Sequence, residues 1–303
     1  MLNRLIVFIL YLLPKKFVWL FSKKYIAGET INDAIRVSKE LNAQSIKVTV
    51  DLLGEFITKN EQSYIYKDRY LEIIDTFQKH NIDGYYSLKP TMFGLLIDKE
   101  ICYKNIREIV KKANDYNNFT CLDMEDSRCT DLEIELFRKL KAEFFPNVGL
   151  VFQAYLKRTL NDIKELLNIY PNDNSLNCRL CKGIYVEPKE ISYKKPNEIN
   201  QHFLENLEFM FQNKIYVGIA THDKILIENT YRLIEKYNVP KNKYEFQMLY
   251  GVTPELKKSI IDNGHTMRVY VPFGKDWLGY SLRRLKENPK MVSSIIKSML
   301  RPR

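Results

Sequence analysis

The sequence predicts an α/β fold, and specifically a closed (βα)8 barrel of the TIM type. Eight short runs rich in β-branched and aromatic residues alternate with stretches whose apolar residues follow a helical period. Alternation of strand and helix predicts a parallel sheet, because parallel neighbours need a crossover connection. No glycine-rich phosphate-binding turn follows the first run, as an open dinucleotide-binding sheet would usually require. Eight such units favour a barrel over an open doubly wound sheet.

The eight predicted strands are spread over most of the chain. They are expected at residues 45–52, 84–90, 119–125, 148–156, 178–186, 216–223, 244–249 and 266–272. Helical period is clearest in the stretches 63–80 and 223–237. No linker rich in Pro, Gly or Ser divides these units. We therefore expect one barrel domain at residues 28–290, preceded by an N-terminal helical arm (1–27) and followed by a C-terminal tail (291–303).

The composition excludes several classes of protein. The chain has 303 residues, of which 45% are hydrophobic, and its net charge is +10 from 47 Lys and Arg against 37 Asp and Glu. This content of apolar residues is too high for a disordered chain. The basic residues are mixed with acidic ones along the predicted helices, which argues against a nucleic-acid partner. Five cysteines without an export signal indicate reduced thiols and a cytoplasmic protein.

The N-terminal arm opens with an apolar run at residues 5–13, which is followed by Pro14 and two lysines. The run is shorter than the ~20 residues that a membrane-spanning helix needs. No small-residue cleavage site of a signal peptide follows it. Two interpretations remain open. The arm packs on the main domain, or it lies in the inner face of the cell membrane with Trp19 and the lysines at the headgroups.

Polar residues collect near the C-terminal ends of the predicted strands. The set comprises Lys89, Asp123, Glu125, Gln153, Tyr155, Arg179, Lys182, Thr221, His222, Glu245, Gln247 and Tyr270. In a (βα)8 barrel this end of the strands carries the active site. A single charged group there would indicate a structural salt bridge, whereas a set on nearly every strand predicts a polar ligand on the barrel axis.

The predicted helix after the eighth strand carries a second set of charges. Tyr280, Arg283, Arg284 and Glu287 share one broad face at helical spacing. Paired arginines suit a carboxylate ligand, because each guanidinium offers two parallel donors. Glu287 is spaced to hold one of the arginines. On spacing alone, a solvated Arg–Glu face remains an alternative.

Seven short motifs occur in order along these units and are similar to those of one family. They lie at residues 87–91 (SLKPT), 122–125 (LDME), 153–156 (QAYL), 179–183 (RLCKG), 220–223 (ATHD), 245–249 (EFQML) and 280–288 (YSLRRLKEN). Together they resemble the proline dehydrogenase family in its short monofunctional bacterial form. The resemblance extends from about residue 25 to residue 289.

The resemblance implies a flavin enzyme. It implies FAD bound at the C-terminal ends of the barrel strands without a Rossmann fold, and no metal. It implies oxidation of L-proline to Δ1-pyrroline-5-carboxylate, with the electrons passed to a quinone and the product passed to a pyrroline-5-carboxylate dehydrogenase.

The motifs also imply roles for individual residues. By this resemblance Arg283 and Arg284 would bind the proline carboxylate, with Glu287 in support. The rest of the substrate pocket would be formed by Lys89, Asp123, Tyr185, Leu249, Tyr270 and Tyr280. The flavin would be held by Gln153, Arg179, Lys182, Gly183, Thr221, His222 and Glu245.

Three further expectations concern individual residues. Arg179 and Lys182 are three residues apart, so they cannot face the same side of an unbroken strand, and one of them must lie beyond its end or act through its backbone, with Arg179 favoured as the side-chain contact. Cys178 and Cys181 are expected to be small apolar fillers instead of metal ligands. Tyr280 is expected to crowd a ring hydroxyl, which favours proline over hydroxyproline.

Two alternatives differ in function. One is a barrel enzyme of the same family that acts on another cyclic or N-alkyl amino acid, such as hydroxyproline. The other is a basic module without catalysis that binds a membrane or a nucleic acid, which strongly salt-dependent DNA binding would indicate.

Overall fold

Eight parallel strands close into a barrel in which each strand pairs with the next and β8 pairs with β1. The computed structural model describes residues 18–19, 22–171 and 176–287, and describes only the backbone of residues 283–287. Within these residues the strands are β1 (Lys47–Leu52), β2 (Gly84–Leu88), β3 (Thr120–Leu122), β4 (Val148–Gln153), β5 (Asn177–Cys181), β6 (Tyr216–Ala220), β7 (Tyr244–Leu249) and β8 (Met267–Phe273). The predicted (βα)8 barrel is confirmed.

A helix precedes β1, and a helix follows each strand. The helices are α1 (Ile31–Asn42), α2 (Asn60–Lys79), α3 (Lys99–Asp115), α4 (Thr130–Phe144), α5 (Thr159–Ile169), α6 (Pro196–Gln212), α7 (Lys224–Lys236), α8 (Pro254–Asp262) and α9 (Trp277–Glu287). Short 3-10 turns lie at Pro90–Phe93 and Lys241–Lys243. The predicted helical stretches 63–80 and 223–237 correspond to α2 and α7. The domain limits at residues 27 and 290 remain predictions.

Several strands end earlier than the sequence pattern indicates. The third was expected to continue to residue 125, but it ends at Leu122, and the fifth was expected to continue to residue 186, but it ends at Cys181. In both cases the chain turns into a loop at the first polar residue past the end of the sheet. Asp123 and Lys182 therefore lie beyond the strand ends, where their side chains reach the barrel axis.

The two faces of the barrel strands differ sharply in polarity. In β7, Phe246 and Met248 belong to the apolar core between the sheet and the helices. The alternate residues Glu245 and Gln247 point inward and bond to other strands. Burial of a phenylalanine or methionine side chain stabilises the fold by about 1.5–3 kcal/mol. The apolar layer outside the barrel therefore supplies stability, and the barrel interior carries polar groups.

The described end of the N-terminal arm packs on the last helix. Val18 belongs to a small apolar cluster with Leu53, Trp277 and Tyr280. The rings of Trp19 and Trp277 lie 4.9 Å apart between centroids. This part of the arm follows the packing interpretation, while residues 1–17 lie outside the described part of the chain. Among the described residues, no helix is both long and apolar enough to cross a bilayer.

Gly149 of β4 provides a test of the barrel packing. A Cβ at this position would lie 2.4 Å from Cζ of Phe119 and 2.6 Å from the backbone oxygen of Asn177. We expect Gly149→Ala to lower the free energy of unfolding by about 1–3 kcal/mol, because the backbone of β5 must shift. The control is Gly279→Ala on an exposed helix face, where a Cβ would meet no described atom within 4 Å apart from the adjoining backbone of its own helix; this variant should gain about 0.5–1 kcal/mol. Urea unfolding of both variants checks this, and equal effects would contradict the packing.

Candidate active site

A cavity of about 550 Å³ lies at the C-terminal ends of the strands. Every strand or the loop after it contributes to its lining, as does Tyr280 of α9. Twelve of the residues predicted from sequence line it: Lys89, Asp123, Gln153, Arg179, Lys182, Gly183, Tyr185, Thr221, His222, Leu249, Tyr270 and Tyr280. The fold thus brings residues that are far apart in sequence to one place.

Lys89 lies directly after β2 and reaches into the cavity between two carboxylates. Its Nζ lies 2.6 Å from Oδ1 of Asp51 and 3.6 Å from Oδ2 of Asp123, and it donates to the Tyr270 hydroxyl over 3.2 Å. Burial alone would lower the pKa of Lys89, but the two carboxylates outweigh it and raise that pKa above its usual value. Lys89 is therefore a fixed positive charge.

Asp51 is a cavity residue that the sequence reasoning missed. It lies near the end of β1 with only 1% of its surface exposed, and it holds Lys89. Burial raises the pKa of Asp51 to about 6, against the opposing effect of Lys89. A polar residue near the C-terminal end of a strand was the signal used for the other strands, and the same criterion applied to β1 finds Asp51.

Asp123 is the acceptor that organises the centre of the cavity floor. Its Oδ1 accepts hydrogen bonds from Arg179 over 2.7 Å and from the Ser87 hydroxyl over 2.6 Å. Its Oδ2 accepts a bond of 2.8 Å from the Tyr270 hydroxyl. Burial would raise the pKa of Asp123, but Arg179 and Lys89 together lower it below its usual value. Asp123 is thus a fixed negative charge that orients Arg179 and Tyr270.

The network continues from Arg179 toward the N-terminal end of the barrel. Arg179 Nε donates to Oε1 of Gln247 over 2.7 Å, and Gln247 Nε2 donates to Oε1 of Glu245 over 2.7 Å. Arg268 then binds Glu245 through Nε at 2.6 Å and Nη2 at 3.1 Å. Gln247 lines the cavity; it was one of the polar residues expected near the strand ends, but no role in substrate or flavin binding was predicted for it.

Glu245 does not reach the cavity, contrary to the expected flavin contact. It lies two residues before Gln247 on β7, so it is one layer deeper in the barrel, and its side chain is 1% exposed. Burial would raise the pKa of Glu245, but the Arg268 guanidinium outweighs it and lowers that pKa. Glu245 forms a structural ion pair with Arg268, which is the usual role of a lone charged residue in a barrel strand.

The loops after β5 and β6 meet at one side of the cavity. Lys182 lies beyond the end of β5, as the spacing from Arg179 required, and its Nζ lies 2.6 Å from Oδ2 of Asp223. Gly183 has a φ of +100°, and a Cβ there would lie 2.1 Å from the Tyr155 ring, so a glycine is needed. His222 Nε2 accepts a hydrogen bond of 2.9 Å from Leu249 N.

Gln153 is held at the end of β4. It is 2% exposed, and its Nε2 donates to the backbone oxygen of Glu125 over 2.7 Å.

The remaining predicted residues lie on α9. Tyr280 is 8% exposed and lines the cavity, which places this face of the helix at the site. The backbone of α9 continues through Arg283, Arg284 and Glu287. The side chains of these three residues lie outside the described part of the structure, so their roles remain predictions.

The cysteines are buried or half-buried thiols. All five are free, and Cys178 and Cys181 lie on β5. Cys181 lines the cavity and Cys178 packs in the apolar core. In the part of the chain that the structure describes, no group of His, Cys, Asp and Glu is arranged to hold a metal ion.

Comparison with known proteins agrees with this geometry. A model of the family described as "Proline dehydrogenase" matches residues 34–297. The chain belongs to this family. It is 33% identical to proline dehydrogenase 1 of Bacillus subtilis subsp. natto over 280 residues, which are 92% of this chain and 91% of that protein. It is also 33% identical to the proline dehydrogenase of Deinococcus radiodurans over 293 residues, 95% of this chain and 93% of that protein.

Longer members of the family contain a similar barrel. The crystal structure of proline utilization A (PutA) from Bdellovibrio bacteriovorus inactivated by N-propargylglycine superposes with a TM-score of 0.81 at 27% identity, covering 88% of this chain. This chain spans 32% of that PutA chain. It is 25% identical to the bifunctional protein PutA of Klebsiella aerogenes and spans 24% of its length.

The Glu245–Arg268 pair can be tested by its effect on stability. We expect Glu245→Ala to cost about 3–5 kcal/mol, because it leaves the Arg268 guanidinium buried without a carboxylate. The double variant Glu245→Met with Arg268→Met should recover most of this loss. The exposed pair Lys258–Asp262 supplies the control, since Asp262→Ala should cost less than about 1 kcal/mol. A Glu245→Ala effect as small as that of Asp262→Ala in urea unfolding would contradict the assignment.

Proposed function

We propose that this protein is an FAD-dependent proline dehydrogenase that oxidises L-proline to Δ1-pyrroline-5-carboxylate. The observation that carries this proposal is the convergence of the family motifs. Twelve residues from those motifs and their neighbouring segments line one cavity at the end of the barrel where enzymes of this fold carry their sites. Membership of the family over nearly the whole chain supports the same reaction.

The residues at the cavity suit a flavin. When bound, the FAD supplies the hydride acceptor that no amino-acid side chain provides. Arg179, Lys182 and the amide of Gln153 offer donors to a ring system whose polar edge carries oxygen and nitrogen acceptors. Val151 and Leu249 offer an apolar surface in the same cavity. Positive charge near this ring would favour its reduced, anionic form.

The substrate side of the cavity suits an amino acid. The fixed positive charge of Lys89 attracts a carboxylate, and because its pKa is raised, Lys89 is poorly suited to accept a proton from the substrate amine. Arg283 and Arg284, which follow Tyr280 on α9, would complete the carboxylate site. Tyr270 is held by Asp123 over 2.8 Å and would limit the motion of the substrate ring. Binding of the carboxylate then fixes the ring carbon for hydride transfer.

We further propose the partners that the family resemblance implies. The electrons would pass to a quinone, and the product to a pyrroline-5-carboxylate dehydrogenase. The bifunctional relatives support a link between two activities. The lysines at positions 15, 16, 23 and 24 flank apolar residues of the arm, which supports peripheral contact with an anionic membrane surface from the cytoplasm.

An absorption spectrum tests the cofactor and the substrate together. We expect the purified protein to show flavin bands that bleach when L-proline is added without an electron acceptor. Turnover with an artificial acceptor should be faster for L-proline than for hydroxyproline, because Tyr280 closes the cavity near the ring. A colourless protein that cannot be reconstituted with FAD would overturn the proposal. Faster turnover of hydroxyproline would instead favour the alternative substrate within the family.

Arg283 is expected to bind the substrate carboxylate and not the flavin. Arg283→Met should raise KM for L-proline by roughly 10- to 100-fold, since a charge-assisted hydrogen bond contributes about 1.5–3 kcal/mol. The flavin content should stay unchanged. The control is Lys275→Met, which removes an exposed positive charge just before α9 and should change neither quantity. Loss of flavin at an unchanged KM would refute the role of Arg283.

A further inference from the structure

Glu125 is a buried acid next to the cavity that the proposed reaction does not use. It lies three residues past the end of β3 and is 0% exposed. It is not part of the cavity lining. A carboxyl group without any access to solvent is costly unless hydrogen bonds satisfy it, and the hydrogen bonds of this carboxyl group lead to the loop after β2.

Both carboxyl oxygens of Glu125 bind Thr91. Thr91 N donates to Oε2 over 2.8 Å, and the Thr91 hydroxyl donates to Oε1 over 2.6 Å. Thr91 lies two residues after Lys89, within the 3-10 turn that follows β2. Because Thr91 is only two residues from Lys89, the bonds that hold the Thr91 backbone also restrict the position of the Lys89 backbone from which its side chain extends.

Thr91 also accepts hydrogen bonds from the loop after β1. Phe56 N donates to Oγ1 of Thr91 over 2.9 Å, and Ile57 N donates to the Thr91 backbone oxygen over 3.4 Å. The residue before Phe56 is Glu55, which lines the cavity. Phe56 has a φ of +49°, so this loop adopts a backbone conformation that needs such support.

The backbone of Glu125 makes two further connections. Its carbonyl oxygen accepts the 2.7 Å bond from Nε2 of Gln153, which lines the cavity from β4. Its N–H donates to Oε1 of Glu133 on α4 over 3.0 Å. Glu125 thus connects the segments after β1, β2 and β3 to the end of β4, and Glu133 anchors this assembly to the helix layer.

We propose that Glu125 is a positioning residue that sets the affinity for the substrate by fixing Lys89 and the loop at residues 53–59 without touching the substrate. The substrate part of this inference rests on the proposed function. The structural part concerns the order of the loops and stands on the hydrogen bonds alone. Thr91 is the residue through which the Glu125 side chain acts on the first two loops.

The environment of Glu125 makes its bonds to Thr91 sensitive to pH. Burial raises the pKa of Glu125 to about 7, although the two bonds from Thr91 oppose this. The groups that face it are Glu133 of α4, the thiols of Cys102 and Cys129, Thr91, and at greater range Lys89 and Glu55. Glu133 has one buried oxygen without a hydrogen-bond partner, and burial raises its pKa well above its usual value. The bonds from Thr91 are stronger when Glu125 is ionised, because a charged carboxylate is a better acceptor than a neutral carboxyl group, so the connection is strongest above the pKa of Glu125.

Thr91→Val tests the proposal, because it removes the hydroxyl and keeps the side-chain shape. We expect KM for L-proline to rise about tenfold, which corresponds to about 1.4 kcal/mol, while kcat changes by less than about threefold and the flavin spectrum stays unchanged. Thr91→Ser should restore KM. The rise in KM should be larger at pH 8 than at pH 6, since the hydroxyl donates to an ionised Glu125. The matched control is Thr230→Val, which removes a buried hydroxyl on α7 that has no hydrogen-bond partner among the described residues.

Hydrogen exchange of the holoenzyme supplies a readout that does not depend on activity. Thr91→Val should speed exchange about tenfold in peptides covering residues 53–59 and 89–95, with no change in β5–β8. Unchanged exchange in those two segments, or an equal increase along the whole chain, would overturn the positioning role. If the parent protein does not oxidise L-proline, the proposed function fails, and the exchange result still decides whether Thr91 and Glu125 order the loops.

Discussion

A chain of alternating charges along the barrel axis is the interaction on which the site depends. From the N-terminal end toward the cavity it contains Arg268, Glu245, Arg179, Asp123, Lys89 and Asp51, with Gln247 between Glu245 and Arg179. Removing an ion from water costs several kcal/mol, so each charge is tolerated only because its neighbour has the opposite sign. Loss of Glu245 would leave Arg268 without a carboxylate, and loss of Asp123 would leave Arg179 without one, which links the stability of the barrel to the integrity of the cavity.

The network also explains how a polar site is kept rigid inside a small cavity. Asp123 accepts bonds from Arg179, Ser87 and Tyr270 at once, so none of these side chains is free to turn toward another partner. Lys89 stays charged because Asp51 and Asp123 flank it. The polar side chains that line the cavity are therefore already oriented before a ligand enters, so we expect little reorganisation when one binds.

Much of this arrangement was predictable from sequence, and the failures have a common cause. Lys89, Asp123 and Arg179 were found because polar residues near strand ends stand out in otherwise apolar runs. Glu245 met the same criterion but lies too deep in the barrel to line the cavity. Gln247, which does line the cavity, is two residues further along β7, and two residues span about 6.8 Å. The sequence pattern gives the inward face of a strand, whereas the height along the barrel axis depends on the register between strands. Glu125 was noted at a strand end, but its bond to Thr91 depends on the path of two loops, which no periodicity encodes.

The two halves of the site are held by different parts of the molecule. Lys89, Arg179 and Gln153 are fixed by the barrel, its buried charges and the apolar layer around it. Helix α9 belongs instead to a separate small cluster that includes Val18, Leu53 and Trp277. Among the described residues, this cluster contains fewer buried apolar side chains than the core around the barrel, so we expect local opening of α9 to cost less free energy than opening of a barrel strand. We therefore expect the barrel to form the rigid side of the cavity and α9, which carries Tyr280, to form the side that moves more readily.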